Sequence, residues 1–319
     1  MGRRSWVINY ELLGYFPYYS SSLQFNEIPG VRIIIYCSLF IVHCLLFIVH
    51  CKVVDFNRQE FNQVLFQLSG GKEPLLSSLH VFPTITSTNE TLWQLLDGGL
   101  ETIAAVIALE QTAGRGQWGR RWRSPLGGLY LSLALSPKPN LVAKFAPHLT
   151  ICTVWGIASN LQNYNIPAVI KWPNDLILQG KKLGGIKTET RVKDNKINRA
   201  VIGVGINWQN PVPEVGINLA DFQQESKINS LNSLEMLGAI AVWGILSGYE
   251  HYLSVGIENL LPEYLQLLDS QGRTVIVEGC PGKVVGVTAQ GELQVRLQSQ
   301  GASTEICLPP GSISLGYSS

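Results

Sequence analysis

Apolar segments that follow one another with turn signals between them leave this chain little choice but neighbouring antiparallel strands. Leu176 to Leu178, Leu183 to Thr190 and Ala200 to Ile206 read as strands, with Gln179-Gly180 and Asp194-Asn195 as the turns between them. Further strands are expected at Leu79 to Phe82, Ile103 to Leu109, Gly128 to Leu135 and Ala168 to Trp172. Helical spacing is carried by Phe56, Phe61, Val64, Leu65 and Leu68, which Gly70-Gly71 and Pro74 terminate. It returns from about Lys144 to Tyr164, at Leu231 to Leu253 and at Ile257 to Leu268. The fold class that follows is α+β: a mixed, largely antiparallel sheet with packed helices, and not a doubly wound parallel one. From Thr274 onward short strands are punctuated by Gly279, Pro281-Gly282, Gly286, Gly291, Gly301 and Pro309-Pro310-Gly311. This stretch reads as a small β-barrel of about 45 residues.

The 319 residues divide as an N-terminal extension over 1–54, a main domain over 55–271 and a terminal β domain over 272–319. The extension is unlike the rest. Between Val31 and Cys51 it is almost wholly apolar, long enough at 1.5 Å per residue to cross a hydrocarbon core of about 30 Å. Two readings stay open, a membrane anchor and an upstream extension that is not part of the working protein. Basic residues flank the segment on both sides, so its orientation is undetermined. A repeat of Phe-Ile-Val-His-Cys aligns Cys37, Cys44 and Cys51 beside His43 and His50, and an apolar helix explains this better than a metal site does. The six cysteines form no CxxC pair, which suits a reducing, cytoplasmic compartment, and no metal site is expected. A net charge of +1 gives no global attraction to nucleic acid.

Chemistry concentrates at strand ends. Glu110 to Trp122 holds three glycines and three arginines directly after an apolar strand. Its backbone is free to close around an anion, and guanidinium forks match carboxylate and phosphate oxygens. Ser87-Thr88-Asn89-Glu90 gives a Ser-x-x-Glu start to a helix, so capping alone would explain Ser87. Lys171-Trp172-Pro173-Asn174-Asp175, Lys181-Lys182-Leu183-Gly184-Gly185 and Gly203-Val204-Gly205-Ile206-Asn207 complete the set. Singly they read as a turn, a solvated hairpin tip and strand glycines.

Taken together and in this order, these motifs resemble those of the biotin protein ligases, over a stretch from about Leu79 to the C-terminus. The resemblance implies the α+β core shared by biotin and lipoate ligases and related to class II synthetases, with an SH3-like terminal domain. It implies activation of biotin by ATP with Mg²⁺, then transfer to a lysine of the biotin carboxyl carrier protein of acetyl-CoA carboxylase. Ser87, Thr88, Asn89, Gln111, Gly114, Arg115, Gly116, Lys182, Gly185 and Gly203 would then face biotin. Arg115, Gln117, Arg120, Trp122, Lys171, Asn174 and Asn207 would face ATP, and Lys182, Arg115 and Asp175 would be catalytic. Gln117 departs from the family loop, which often carries a further arginine there, and this puts retention of the intermediate in doubt. No basic recognition helix stands near the N-terminus, so no nucleic-acid partner is expected. The alternatives are a lipoate or octanoyl ligase or transferase of the same fold, and a non-catalytic, membrane-anchored biotin-binding protein. Monomer and homodimer both remain open.

Overall fold

The computed structural model describes residues 56–71, 76–137, 141–299, 302–313 and 315–316. The apolar segment 31–51, with its cysteines and histidines, lies outside the described residues. Among the described residues no helix is long and apolar enough to cross a membrane. In chain order the elements are α1 (Arg58–Leu68), β1 (Ser78–Ile85), α2 (Thr88–Asp97), β2 (Ala104–Gln111), β3 (Leu129–Leu135) and α3 (Ala146–Gln162). There follow β4 (Val169–Lys171), β5 (Asp175–Leu178), β6 (Lys181–Lys193), β7 (Lys196–Ile206), α4 (Leu219–Ser226), α5 (Leu234–Val255) and α6 (Ile257–Gln266). Four terminal strands close the chain: β8 (Thr274–Val277), β9 (Cys280–Val287), β10 (Leu293–Ser299) and β11 (Ala302–Leu308).

Seven strands form the main sheet in the order β1-β2-β3-β7-β6-β5-β4, and only β1 and β2 run parallel. The hairpins sit where the turn signals put them. Gln179 and Gly180 have φ of 50° and 75°, and Asp194 and Asn195 have 51° and 57°. Two successive positive φ values give the turn whose twist suits a two-residue hairpin.

Strand alternation divides the sheet's two faces between different tasks. Ile107, Leu131, Leu133, Ile202 and Val204 point to the side covered by α3 and α5 and bury fully there. Val106, Ala134 and Val201 point to the other side, where Leu92 and Leu96 of α2 cover them. This second cover is short, and the rest of that face is left for the site.

Glycines set the approach of the two long helices. A Cβ on Gly156 would strike the carbonyl oxygen of Gly244, and one on Gly248 would strike that of Cys152. The close crossing leaves no room for even a methyl group, and burial pushes the Cys152 thiol up to about 12.

The terminal strands pair antiparallel in the order β11-β10-β9-β8. Their Val277, Val284, Val287, Leu293 and Val295 belong to the same apolar cluster as α3 and α5. Two hydrogen bonds tie the β9–β10 turn to the main body. Trp172 Nε1 donates to the carbonyl of Gly291 at 2.9 Å, and His148 Nε2 donates to that of Ala289 at 2.6 Å. His148 Nδ1 lies 2.9 Å from the Tyr252 hydroxyl. Burial holds the imidazole below its ordinary range, so it serves this joint as a neutral ring.

One helix has no counterpart among the sequence expectations. Helix α4 is only eight residues long, and it starts on an Asn218 cap that accepts from the Asp221 amide at 2.8 Å. It ends at Lys227 in the left-handed conformation, without a glycine to signal the stop.

Gly248→Ala should destabilise the protein by about 1–3 kcal/mol through overpacking of the α3–α5 crossing. Urea unfolding monitored by circular dichroism measures this directly.

Candidate functional site

Four strands present rows of residues to the open face of the sheet. In one row Tyr130, Gly205, Gly185 and Asp175 are register partners across β3, β7, β6 and β5. In the next, Ser132, Gly203 and Lys187 align, and in the third Ala134, Val201 and Glu189. Glycines at 185, 203 and 205 therefore strip side chains from the middle of the floor. What lies over them is functional: a Cβ on Gly203 would strike Asn89 Oδ1, and one on Gly205 would stand 2.6 Å from Trp122 Nε1.

The N-terminus of α2 supplies one wall. Ser87, Thr88 and Asn89 are all buried. The expected capping box does not form, because Ser87 makes no side-chain cap bond. Instead the Thr88 amide donates to Gln111 Oε1 at 2.8 Å, and Gln111 Nε2 donates to Ser124 Oγ at 2.8 Å. Glu90 turns away to accept from Thr86 at 3.2 Å and to meet Arg115 at 3.5 Å. An amide from β2 thus takes over the capping, and the Ser87 hydroxyl is left to line the cavity. Ser132, which no motif marks, donates to Asn89 Oδ1 at 2.6 Å and lies 2.7 Å from Thr88 Oγ1.

The arginine loop is a folded hairpin. The Gly116 amide donates to the Arg120 carbonyl at 2.7 Å, and the Trp122 amide to that of Gly114 at 2.9 Å. A Cβ at Gly114 would come within 2.6 Å of both Ser124 Oγ and the Trp122 carbonyl, so only glycine lets the two arms close. Trp118 takes φ of 52° at the tip and is half exposed, with the Arg120 guanidinium 5.7 Å from its ring centre. A Cβ at Gly311, beyond β11, would lie 2.8 Å from the Trp118 indole nitrogen, so the C-terminal segment rests on the loop.

Cations gather at the opposite wall. Lys182 Nζ donates to Asp175 Oδ1 at 2.7 Å and stands 5.3 Å from the Trp122 ring centre. Lys171 is buried, and that burial lowers it to about 8, against the pull of Asp175 in the other direction. Lys182 and Arg120 nearby lower it further. Asn174 Nδ2 donates to the Ile186 carbonyl at 2.6 Å, fixing the turn that carries Asp175. Asp175 is the only carboxylate among the lining residues, which include Arg115, Arg120, Lys171 and Lys182. The cavity is built to hold anionic charge.

Two of the buried side-chain donors that lack a hydrogen bond of good geometry among the described residues belong to this site, Asn89 Nδ2, which Glu189 neighbours, and Trp122 Nε1. Buried polar groups are normally satisfied, and these two are free to meet an acceptor on a ligand. They lie over neighbouring glycines of β7, one toward Ser132 and Lys187 and the other toward Lys182.

Of the residues the sequence singles out, Ser87, Thr88, Asn89, Gln111, Arg115, Gly116, Gln117, Arg120, Trp122, Lys171, Asn174, Asp175, Lys182, Gly185 and Gly203 line this one cavity. Two do not. Gly114 serves the hairpin's closure. The Asn207 side chain is spent on the protein, donating to the carbonyls of Ile217 at 3.2 Å and Lys182 at 3.4 Å and accepting from Asn210 at 3.0 Å. It braces the backbone of Lys182 and does not reach the cavity. Lining residues absent from the sequence reading of the site include Trp118, Lys187, Gly205 and Leu315. Lys187 was detectable by period-two counting from Gly185, and Gly205 stood inside a quoted motif. Leu315 carried no local signal.

Residues 81–207 match the biotin/lipoate A/B protein ligase family. The chain is 28% identical over 222 residues to the bifunctional ligase/repressor BirA of Bacillus spizizenii, covering 67% of this chain and 68% of that protein. It is 35% identical over 128 residues to the biotin--[acetyl-CoA-carboxylase] ligase of Paracoccus denitrificans, covering 38% of this chain and 50% of that protein. The biotin protein ligase of Aquifex aeolicus in complex with biotin and ATP superposes with a TM-score of 0.59 at 26% identity, over 76% of this chain and 100% of that one. The chain thus spans between half and about two thirds of the length of these curated relatives.

A titration of Lys171 followed by heteronuclear NMR should give a midpoint near 8, well below the ordinary 10.5 of a lysine. A midpoint near 10 would mean that water reaches the ammonium freely.

Proposed function

We propose that this chain, whose residues 81–207 match the biotin/lipoate A/B protein ligase family, is an ATP-dependent biotin protein ligase that forms biotinyl-AMP and passes biotin to a carrier lysine. The observation that carries this reading is the pairing of two buried donors, Asn89 Nδ2 and Trp122 Nε1, in a cavity lined by six cations, Arg115, Arg120, Arg121, Lys171, Lys182 and Lys187. The donor side near Ser87, Thr88, Asn89 and Gln111 suits a cyclic urea, which both donates and accepts. The side near Trp122 and Lys182 suits a nucleotide, whose base or ribose meets the indole N–H and whose phosphates meet the cations.

In the first step a carboxylate oxygen of biotin attacks the α-phosphorus of ATP, the α–β bridging bond breaks, and pyrophosphate leaves. The two reactants repel each other, and charge accumulates at phosphorus in the transition state. Arg115, Lys171 and Lys182 offset that charge from fixed positions. Lys182 has three N–H donors; Asp175 takes one and thereby aims the other two. Mg²⁺ accompanying the nucleotide would neutralise the triphosphate further.

The second step needs no enzyme nucleophile, because the mixed anhydride is itself reactive. An amine of the acceptor lysine attacks the acyl carbon, the acyl–phosphate C–O bond breaks, and AMP leaves. Asp175 accepts the proton that the amine sheds. The acceptor proposed is the biotin carboxyl carrier protein of acetyl-CoA carboxylase, a reading supported by the name of the Paracoccus denitrificans relative, which mentions that carboxylase.

Incubation with biotin, ATP, Mg²⁺ and a carrier domain tests the whole reading: pyrophosphate release with a biotinylated carrier is expected, and ligand retention without turnover would sink it. Lys182→Ala and Arg115→Ala should each lower biotin-dependent pyrophosphate exchange by about 100-fold or more with the circular dichroism spectrum unchanged. Lys171 holds an anion only while protonated. ATP affinity should therefore fall as pH rises through about 8, and Lys171→Arg should remove that dependence, as calorimetry across the range would show.

A further inference from the structure

Lys187 belongs to none of the motifs that mark the site, yet it lines the cavity and is a register partner of Gly203, on which Asn89 lies. Its Nζ is 3.0 Å from Glu189 Oε1, with the Lys187 side chain one-fifth exposed. The other carboxylate oxygen, Glu189 Oε2, accepts from Trp93 Nε1 at 2.9 Å. Trp93 is held in turn by the Arg191 guanidinium, which stacks 4.2 Å from its ring centre and pairs with Asp97. Burial pulls the Glu189 carboxyl upward, but hydrogen bonds from Lys187, Trp93 and Asn89 and the Lys187 charge outweigh it and keep the group below the usual carboxylate range. Glu189 is thus held as a carboxylate against Lys187 and braced by Trp93 from the side away from the cavity.

We infer that the Lys187–Glu189 ion pair, braced by Trp93, closes the urea end of the cavity with charge. It selects acids whose far end carries a hydrogen-bond acceptor over acids that end in a plain alkyl chain. This rests on the ligase reading and deepens it by naming what the pocket rejects. An ammonium has three donors, and Glu189 takes one. A ureido carbonyl can accept another. A terminal methyl group cannot, and seating it there would strip water from a charged pair and return nothing. Discrimination is steepest where a buried polar group is left unpaired by the wrong ligand. Lys187 is in this sense a specificity residue, and Glu189 and Trp93 are positioning residues.

The full chain carrying Lys187→Met, Lys187→Arg or Trp93→Phe tests this, with pyrophosphate exchange driven by biotin or by octanoic acid as the readout. Lys187→Met should raise the KM for biotin about tenfold and lower the biotin-to-octanoate preference by at least as much, with the KM for ATP within about twofold. Lys187→Arg, which keeps charge and donors, should stay within about threefold of the parent. Trp93→Phe, outside the cavity, should raise the biotin KM about two- to fourfold by loosening Glu189. An unaltered biotin KM and acid preference in Lys187→Met would overturn the inference, as would equal losses in the Met and Arg variants. Parent protein with no biotin-dependent exchange would instead sink the ligase reading itself.

Discussion

Everything at the site depends on bare backbone in the middle of a sheet. Gly185, Gly203 and Gly205 are neighbours across β6 and β7, and they leave peptide groups as the floor of the cavity. The same strands, counted one residue out of phase, present Ile186, Ile202, Val204 and Ile206 to the helical layer, where all are buried. Period-two alternation thus lets one pair of strands be core on one side and binding surface on the other. Interior glycine weakens a strand. Here the loss is offset by the branched residues behind it and by central placement between β3 and β5.

Charge around that floor is distributed unevenly. Arg115, Arg120, Arg121, Lys171, Lys182 and Lys187 stand against one carboxylate, Asp175, among the described lining residues. Burial, with Lys182 and Arg120 beside it, lowers Lys171 to about 8 and so imposes a cost on its charged form. An anionic ligand relieves it, so binding energy and fold stability are linked through the same cations. The hydrogen bond from Lys182 to Asp175 keeps that ammonium placed in the meantime.

Much of this was legible from residues alone. The hairpins were, because Gln179-Gly180 and Asp194-Asn195 are residues that tolerate the positive φ a tight turn demands. The clustering of the motif residues was, because each stood at a strand end or helix start. What escaped was whatever depends on a partner distant in sequence. The Ser-x-x-Glu pattern promised a capping box, but Gln111, twenty-three positions beyond Thr88, took the amide instead. Asn207 looked like a ligand group, and its amide is consumed by the carbonyls that steady Lys182. Ser132 becomes visible only once β3 is registered against β7. Helix α4 was too short for a periodic signal, and its left-handed stop at Lys227 lacks the usual glycine.

The wall bearing Trp172 is joined to the far end of the chain. Its indole donates to the Gly291 carbonyl, while Gly311 sits against Trp118 and Leu315 reaches the cavity. A polypeptide still emerging from the ribosome has the glycine floor and the cations long before it has these last supports. Such a nascent chain carries an unfinished chamber, whose wall is completed only by the last strands and the segment that follows them.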